Sequence, residues 1–147
     1  GIKAMNVNAQ AYDNYKKATV ETAAPGKLLL MLFDGAIRNI DNAKKAIEDK
    51  DVNTAHNLIV KTQNIVLEFI ASLNMEYEIS NNLFNLYEYL YYQLVQANAG
   101  KDIGKLDEVR EFLTQFRDTW EEAMKKATVI TREKNEENIQ RTLNIKG

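Results

Sequence analysis

Few residues in this chain could carry out covalent or metal chemistry, and their spacing keeps them apart. His56 is the only histidine and there is no cysteine, which excludes disulfides, thiolate nucleophiles and Cys/His zinc sites. Helical bundles can hold a metal through Glu-x-x-His pairs on facing helices, but Asn53 stands three positions before His56. His56 therefore reads as a surface or boundary residue. The acidic pairs Glu121/Glu122 and Glu136/Glu137 read as solvated faces. Gly26-Lys27 opens a helix and has no glycine-rich phosphate loop around it. No nucleophile, base or metal set can be assembled, so the chain is expected not to be an enzyme. It is expected to have no catalytic, metal or cofactor-binding residues and to need no cofactor.

Composition narrows the field in the same direction. The formal net charge is -2 over 147 residues, giving no bulk attraction to nucleic acid. Arg110, Arg117, Lys125, Lys126 and Arg132 make a modest positive strip, but Asp118, Glu121, Glu122 and Glu133 interrupt it. No nucleic-acid partner is expected. The longest apolar run, Leu28 to Phe33, is far too short to cross a bilayer. Neither membrane insertion nor a cleavable signal is expected, and the absence of cysteine is compatible with the cytoplasm. Gly1-Ile2-Lys3-Ala4 reads as an expression remnant ahead of a native start at Met5.

What remains is apolar burial, and four helices must position it. The first opens at Pro25, whose missing N–H has no intrahelical partner to lose, with Thr22 as a candidate cap. It runs to about Asp49, with a stripe at 32/33/36/40/43/47. Gly35 inside it suggests a close helix crossing or a surface that a guest chain approaches. Asp51 is placed to cap a second helix with the stripe Val52, Ala55, Ile59, Thr62, Val66, Phe69 and Leu73. Ser80 is placed to cap a third, carrying Leu83, Leu86/Tyr87, Leu90, Leu94 and Ala97 and ended by Gly100 as a C′ glycine. Asp102 opens a fourth, with Ile103, Leu106, Val109, Leu113, Phe116 and Trp120.

Tight turns between helices of about 20 residues imply an all-α, antiparallel up-down-up-down four-helix bundle. An N-terminal docking arm and a C-terminal extension flank it. The expected organisation is residues 1–24 as remnant and arm, 25–124 as the bundle, and 125–147 as an extension that is either helical or mobile.

A minimal bundle uses one stripe per helix, yet the first and third helices carry apolar or aromatic residues well beyond theirs. Two readings account for the surplus. The residues close the core ends and make a homodimer, or they line a groove for a hydrophobic peptide, covered by the tyrosine arm when empty.

Several blocks narrow the choice. Ala11-Tyr12-Asp13-Asn14-Tyr15 is followed by Val20-Glu21-Thr22-Ala23-Ala24-Pro25-Gly26-Lys27-Leu28 and then by Met31-Leu32-Phe33-Asp34-Gly35-Ala36-Ile37. Later come Lys61-Thr62-Gln63-Asn64-Ile65-Val66, Leu86-Tyr87-Glu88-Tyr89-Leu90, Leu94-Val95-Gln96-Ala97-Asn98 and Phe116-Arg117-Asp118-Thr119-Trp120. In this collinear order, from Tyr12 to Met124, the sequence resembles the flagellar secretion chaperone family, the FliS proteins.

The resemblance implies a cytoplasmic chaperone that binds the disordered C-terminal segment of flagellin, prevents its premature polymerisation and keeps it competent for type III secretion. The flagellar export apparatus is a further implied partner, and a homodimer stays open. The alternative is a helical adaptor or homodimerisation module without an extended-peptide client.

Tyr12, Tyr15 and Val20 are assigned to the arm. Leu28, Met31, Leu32, Gln63, Ile65, Tyr87, Tyr91, Leu94 and Asn98 are candidates along the groove, although Leu32, Leu94 and Ile65 read equally well as core. Three departures from the family pattern stand out. Phe33 occupies a position where tyrosine is usual, Gln93 one where arginine often stands, and the chain continues past Met124 further than the family requires.

Overall fold

The structure is a computed structural model that describes residues 25–146. Four helices follow one another: α1 (Pro25–Glu48), α2 (Val52–Ala71), α3 (Glu78–Gly100) and α4 (Ile103–Lys146). α1 packs against α2 and α4, and α3 packs against the same two, with no diagonal contacts. This is the square arrangement of an antiparallel four-helix bundle. The arm residues Tyr12, Tyr15 and Val20, and the Thr22 cap, lie outside the described residues.

The apolar stripes converge on one core. Phe33, Ala36, Ile40 and Ala43 of α1 meet Ala55, Ile59, Val66 and Phe69 of α2, Leu90, Leu94 and Ala97 of α3, and Leu106, Val109 and Leu113 of α4. One ring from each helix forms a layer across it. Phe33 and Phe69 have centroids 4.5 Å apart, Phe69 and Tyr87 5.5 Å, and Tyr87 and Phe116 6.0 Å. The first two pairs are tilted and the third is edge-on, contacts that add to area burial. Phe33 is buried in this layer. Val52, expected in the α2 stripe, is instead exposed, because it is the first residue of its helix and lies beyond the last turn of α1.

Two of the three turns share one design. After α1, Lys50 adopts a left-handed conformation with φ 61°. Lys50 N–H donates to the Ile47 carbonyl at 3.0 Å and Asp51 N–H to the Ala46 carbonyl at 2.8 Å. Together these bonds form a Schellman closure of the last turn. Asp51 Oδ1 then accepts from Thr54 N–H at 3.2 Å and caps α2. After α3 the same steps recur: Lys101 has φ 49°, Asp102 N–H donates to Ala97 at 2.9 Å, and Asp102 Oδ1 accepts from Lys105 N–H at 3.3 Å.

The expected C′ glycine at Gly100 is thus corrected. Gly100 is the last helical residue, and Lys101 takes the left-handed position, held by Nζ donating to Asn98 O and Oδ1, both at 2.6 Å.

The remaining turn differs from expectation as well. Asn74 Oδ1 accepts from Glu76 N–H at 3.0 Å, and this local turn starts α3 at Glu78. Ser80 is therefore not the cap. It lies inside the first turn, buried, with its hydroxyl donating to the Asn74 carbonyl at 2.6 Å.

Glycine roles also shift. A Cβ on Gly35 would meet only Ile65 Cδ1 at 4.0 Å, so no close crossing requires glycine there. The tight approach is at Gly26, where a Cβ would lie 3.3 Å from Met124 Sδ and 3.4 Å from Trp120 Cζ2. Trp120 Nε1 donates to the Gly26 carbonyl at 2.8 Å, fixing the first turn of α1 to α4.

Candidate functional site: two apolar strips flanking α2

The four seams between neighbouring helices differ in chemistry, and that difference marks out a candidate site. Along α1–α4, Asp34, Asp41 and Lys44 pair with Arg117, Arg110 and Asp107. The numbers rise by seven and then three on α1 as they fall by seven and three on α4, the register of two antiparallel helices. Arg110 reaches both carboxylate oxygens of Asp41, at 2.6 and 3.2 Å. Hydrogen bonding to Asp34 and Asp118 raises the Arg117 guanidinium above its ordinary value, as bonding to Asp41 does for Arg110. The shallow depression on this face is lined by Asp41, Lys44, Asp107, Arg110, Glu111, Thr114 and Gln115. Such a charged lining suits water better than an apolar guest.

The α3–α4 seam is pinned by one carboxylate. Glu108 accepts from the Tyr89 hydroxyl and, at 3.1 Å, from the side-chain amide of the buried Gln93. The hydrogen bond to Glu108 raises the Tyr89 hydroxyl above the usual tyrosine range. Gln93 thus stands where arginine is common and still reaches an acid, as a neutral donor.

The two seams that flank α2 are mainly apolar. Asn98 Nδ2 and His56 Nδ1 lie 2.9 Å apart and mark where α3 faces α2. Stepping back from Asn98 by threes and fours along that flank of α3 gives Val95, Tyr91, Glu88 and Phe84. Stepping forward from His56 along α2 gives Val60, Gln63, Leu67 and Ile70. Leu67 is 44% exposed, Phe84 36%, Val95 38%, and Tyr92, at the strip's outer edge, 58%. Val60, Gln63, Ile70 and Tyr91 are half-buried between them. On the other side of α2, Ile65 against Gly35 marks the flank of α1 that turns toward α2. Leu28, Met31 and Leu32 continue that flank, all half-buried.

The groove candidates therefore fall into three places. Gln63, Tyr91 and Asn98 come together on the α2–α3 strip, and Leu28, Met31 and Leu32 on the α1–α2 strip. Ile65, Tyr87 and Leu94 belong to the core, with Tyr87 only 6% and Leu94 0% exposed; burial raises the Tyr87 hydroxyl above its ordinary value. A single groove does not join the two surface groups, because α2 stands between them. Val60, Leu67, Phe84 and Val95 join the α2–α3 strip beyond the residues that the sequence singles out. The same three-and-four spacing, followed one flank over from each core stripe, would have found them.

Among the described residues no cluster of three His, Asp or Glu side chains is placed to hold a metal, and no helix is long and apolar enough to cross a membrane. The family model of the flagellar protein FliS matches residues 8–127. The chain belongs to the FliS family. Among FliS relatives, the flagellar secretion chaperone FliS of Bacillus subtilis (strain 168) is 41% identical over 113 residues, 77% of this chain and 85% of the relative. That of Salmonella typhimurium (strain LT2) is 33% identical over 115 residues, 76% of this chain and 85% of the relative. A solved crystal structure of a flagellar chaperone from bacteria aligns with a TM-score of 0.66 at 18% identity. It covers 81% of this chain and 98% of that one, and the likeness is one of fold. The FliS match ends at residue 127, whereas α4 continues to Lys146.

Proposed function

We propose that this FliS-family chain is a cytoplasmic, non-enzymatic export chaperone whose client is the C-terminal segment of flagellin. It keeps that segment from polymerising early and competent for type III secretion by the flagellar export apparatus. The observation that carries the reading is the contrast between seams. The two that border α4 are closed by ion pairs and a shared carboxylate, whereas the α2–α3 seam leaves Leu67, Phe84 and Val95 exposed and the α1–α2 seam leaves Leu28, Met31 and Leu32 half-buried. An extended client that wraps around α2 can bury apolar side chains on both strips.

A disordered client loses conformational entropy as it docks, so a long contact need not be irreversibly tight, and release to an export machine stays feasible. Each buried methylene-sized contact contributes roughly 0.8 kcal/mol, so a few side chains along the strips set the affinity. The test is calorimetric titration with a peptide of about 40 residues from the C-terminus of the cognate flagellin. The expected result is 1:1 binding with a negative heat-capacity change. Absence of binding to the folded chain would reject the proposal.

A further inference from the structure

One charge interrupts the apolar strip between α2 and α3. On its α3 side Phe84, Glu88 and Tyr92 follow one another at every fourth residue, a spacing that lines side chains up along one ridge of a helix. All three are exposed. The antiparallel register set by Asn98 and His56 brings Glu88 about abreast of Leu67, near the middle of the strip. The facing flank of α2 consists of His56, Val60, Gln63, Leu67 and Ile70 and carries no Lys or Arg. Tyr89 turns the other way, to Glu108 of α4.

A carboxylate with an aromatic ring one helical turn to either side is suited to a cation. The acid supplies opposite charge, and the ring faces attract a cation through their quadrupole. A guanidinium uses both better than an ammonium does, because its plane can lie flat on a ring while its paired N–H groups reach both carboxylate oxygens. A purely apolar guest passing over Glu88 would strip water from the carboxylate and replace it with nothing, which is unfavourable. The same acid therefore favours one class of segment and disfavours another.

We propose that Phe84, Glu88 and Tyr92 form an arginine-reading ridge on the α2–α3 strip. Within the client reading above, on which this rests, the docked segment presents an arginine flanked by apolar residues. Its guanidinium pairs with Glu88 against the rings of Phe84 and Tyr92, and its apolar neighbours cover Leu67 and Val95.

The test is calorimetric titration of the full chain with the flagellin C-terminal peptide, first whole and then with each arginine and lysine in turn replaced by glutamine. Glu88→Gln should weaken binding of the whole peptide about tenfold, the combined scale of an exposed ion pair and a ring–cation contact. Its circular dichroism and thermal unfolding should match the parent. Glu111→Gln removes an exposed acid from α4, away from the strip, and should leave affinity within about twofold, which separates local pairing from net charge. Replacing one particular arginine should weaken the parent's binding about as much as Glu88→Gln does, yet change little further in Glu88→Gln, the non-additivity of a direct pair. Tyr92→Leu keeps apolar bulk but loses the ring face, and should weaken binding about threefold. A parent chain that does not bind the peptide removes the client reading and this one with it. A parent that binds, with Glu88→Gln binding equally well, or with Glu88 coupled to no arginine or only to a lysine, overturns the arginine ridge alone.

Discussion

Two leucines separate the proposed client surface from the core, because one substitution should give opposite readouts at the two. Leu94→Ala and Leu67→Ala each remove three carbons, yet Leu94 is 0% exposed and Leu67 44%. At Leu94 the removed volume comes from the packed centre. The expected cost is about 2–5 kcal/mol of unfolding free energy, which for a chain of this size lowers Tm by about 5–15 °C. Affinity for the flagellin peptide, measured on the folded fraction, should stay within about twofold. At Leu67 three carbons are worth about 2.4 kcal/mol when fully buried, but a guest can cover only the exposed share. Binding should therefore weaken by about 1 kcal/mol, roughly sixfold, while stability falls by no more than about 1.3 kcal/mol. Urea unfolding followed by the single tryptophan, Trp120, and calorimetric titration give the two readouts. If Leu67→Ala left the affinity unchanged, the α2–α3 strip would not be the client surface. If Leu94→Ala instead weakened binding with little loss of stability, the division between core and strip would be wrong.

Other consequences follow from single contacts. Replacing Lys50 with glycine should raise stability by about 0.5–1 kcal/mol, because Lys50 holds φ 61° and an L-residue is disfavoured there; a loss measured by urea unfolding would contradict this. Trp120→Phe keeps an aromatic ring but loses part of the indole and with it the 2.8 Å bond to the Gly26 carbonyl. It should cost about 1 kcal/mol, read by circular dichroism since the fluorophore is gone. At alkaline pH, Tyr89 and Tyr87 ionise above the ordinary value of 10.0. Their contribution is complete below pH 10 and is lost as the pH rises through their folded values, so Tyr89→Phe should flatten the alkaline fall in stability. At acid pH, hydrogen bonding to Lys125 and the nearby Arg117 hold Glu121 below the ordinary 4.5. Its contribution is present above 4.5 and is lost as the pH drops through its lowered value, and Glu121→Gln should reduce that loss.

The bundle was legible because apolar residues recurring at threes and fours specify both the helices and the faces they bury. The Asp51 cap was legible for a local reason, since capping needs only the residue and the next three. Turn details that depend on competition between neighbours were not. Gly100 and Lys101 are adjacent, and the Asp102 bond to Ala97 puts the left-handed residue at Lys101. Asn74 builds its own turn and starts α3 before Ser80 can cap it. The α1–α4 ion pairs join residues up to 83 positions apart, and only the register of two packed helices reveals them. At the site, helical spacing alone could not say which of Tyr87, Tyr91, Leu94 and Val95 faces in. A single helix lists its apolar residues, but which of its flanks is sealed depends on its neighbours.

That last point explains why α2 rather than α4 borders the candidate surface, although both helices contact two neighbours. α4 presents charged residues on the shoulders of its stripe: Asp107, Arg110 and Arg117 toward α1, and Glu108 toward α3. Each finds a partner there, and those partners close the seams against an apolar chain. On α2 the corresponding shoulders carry Leu58 and Ile65 toward α1, and Val60, Gln63 and Leu67 toward α3. The ion pairs of Asp34, Asp41 and Lys44 all run from α1 to α4, away from these shoulders. Placing charge at 60 and 95 in complementary form, as Val60→Glu with Val95→Lys, would convert one α2 seam into the α4 kind. The bundle should keep its fold, since both side chains reach solvent, and the client peptide should lose that strip. If such a closed variant bound the peptide as the parent does, the difference in seam chemistry would have no part in selecting where a client lies.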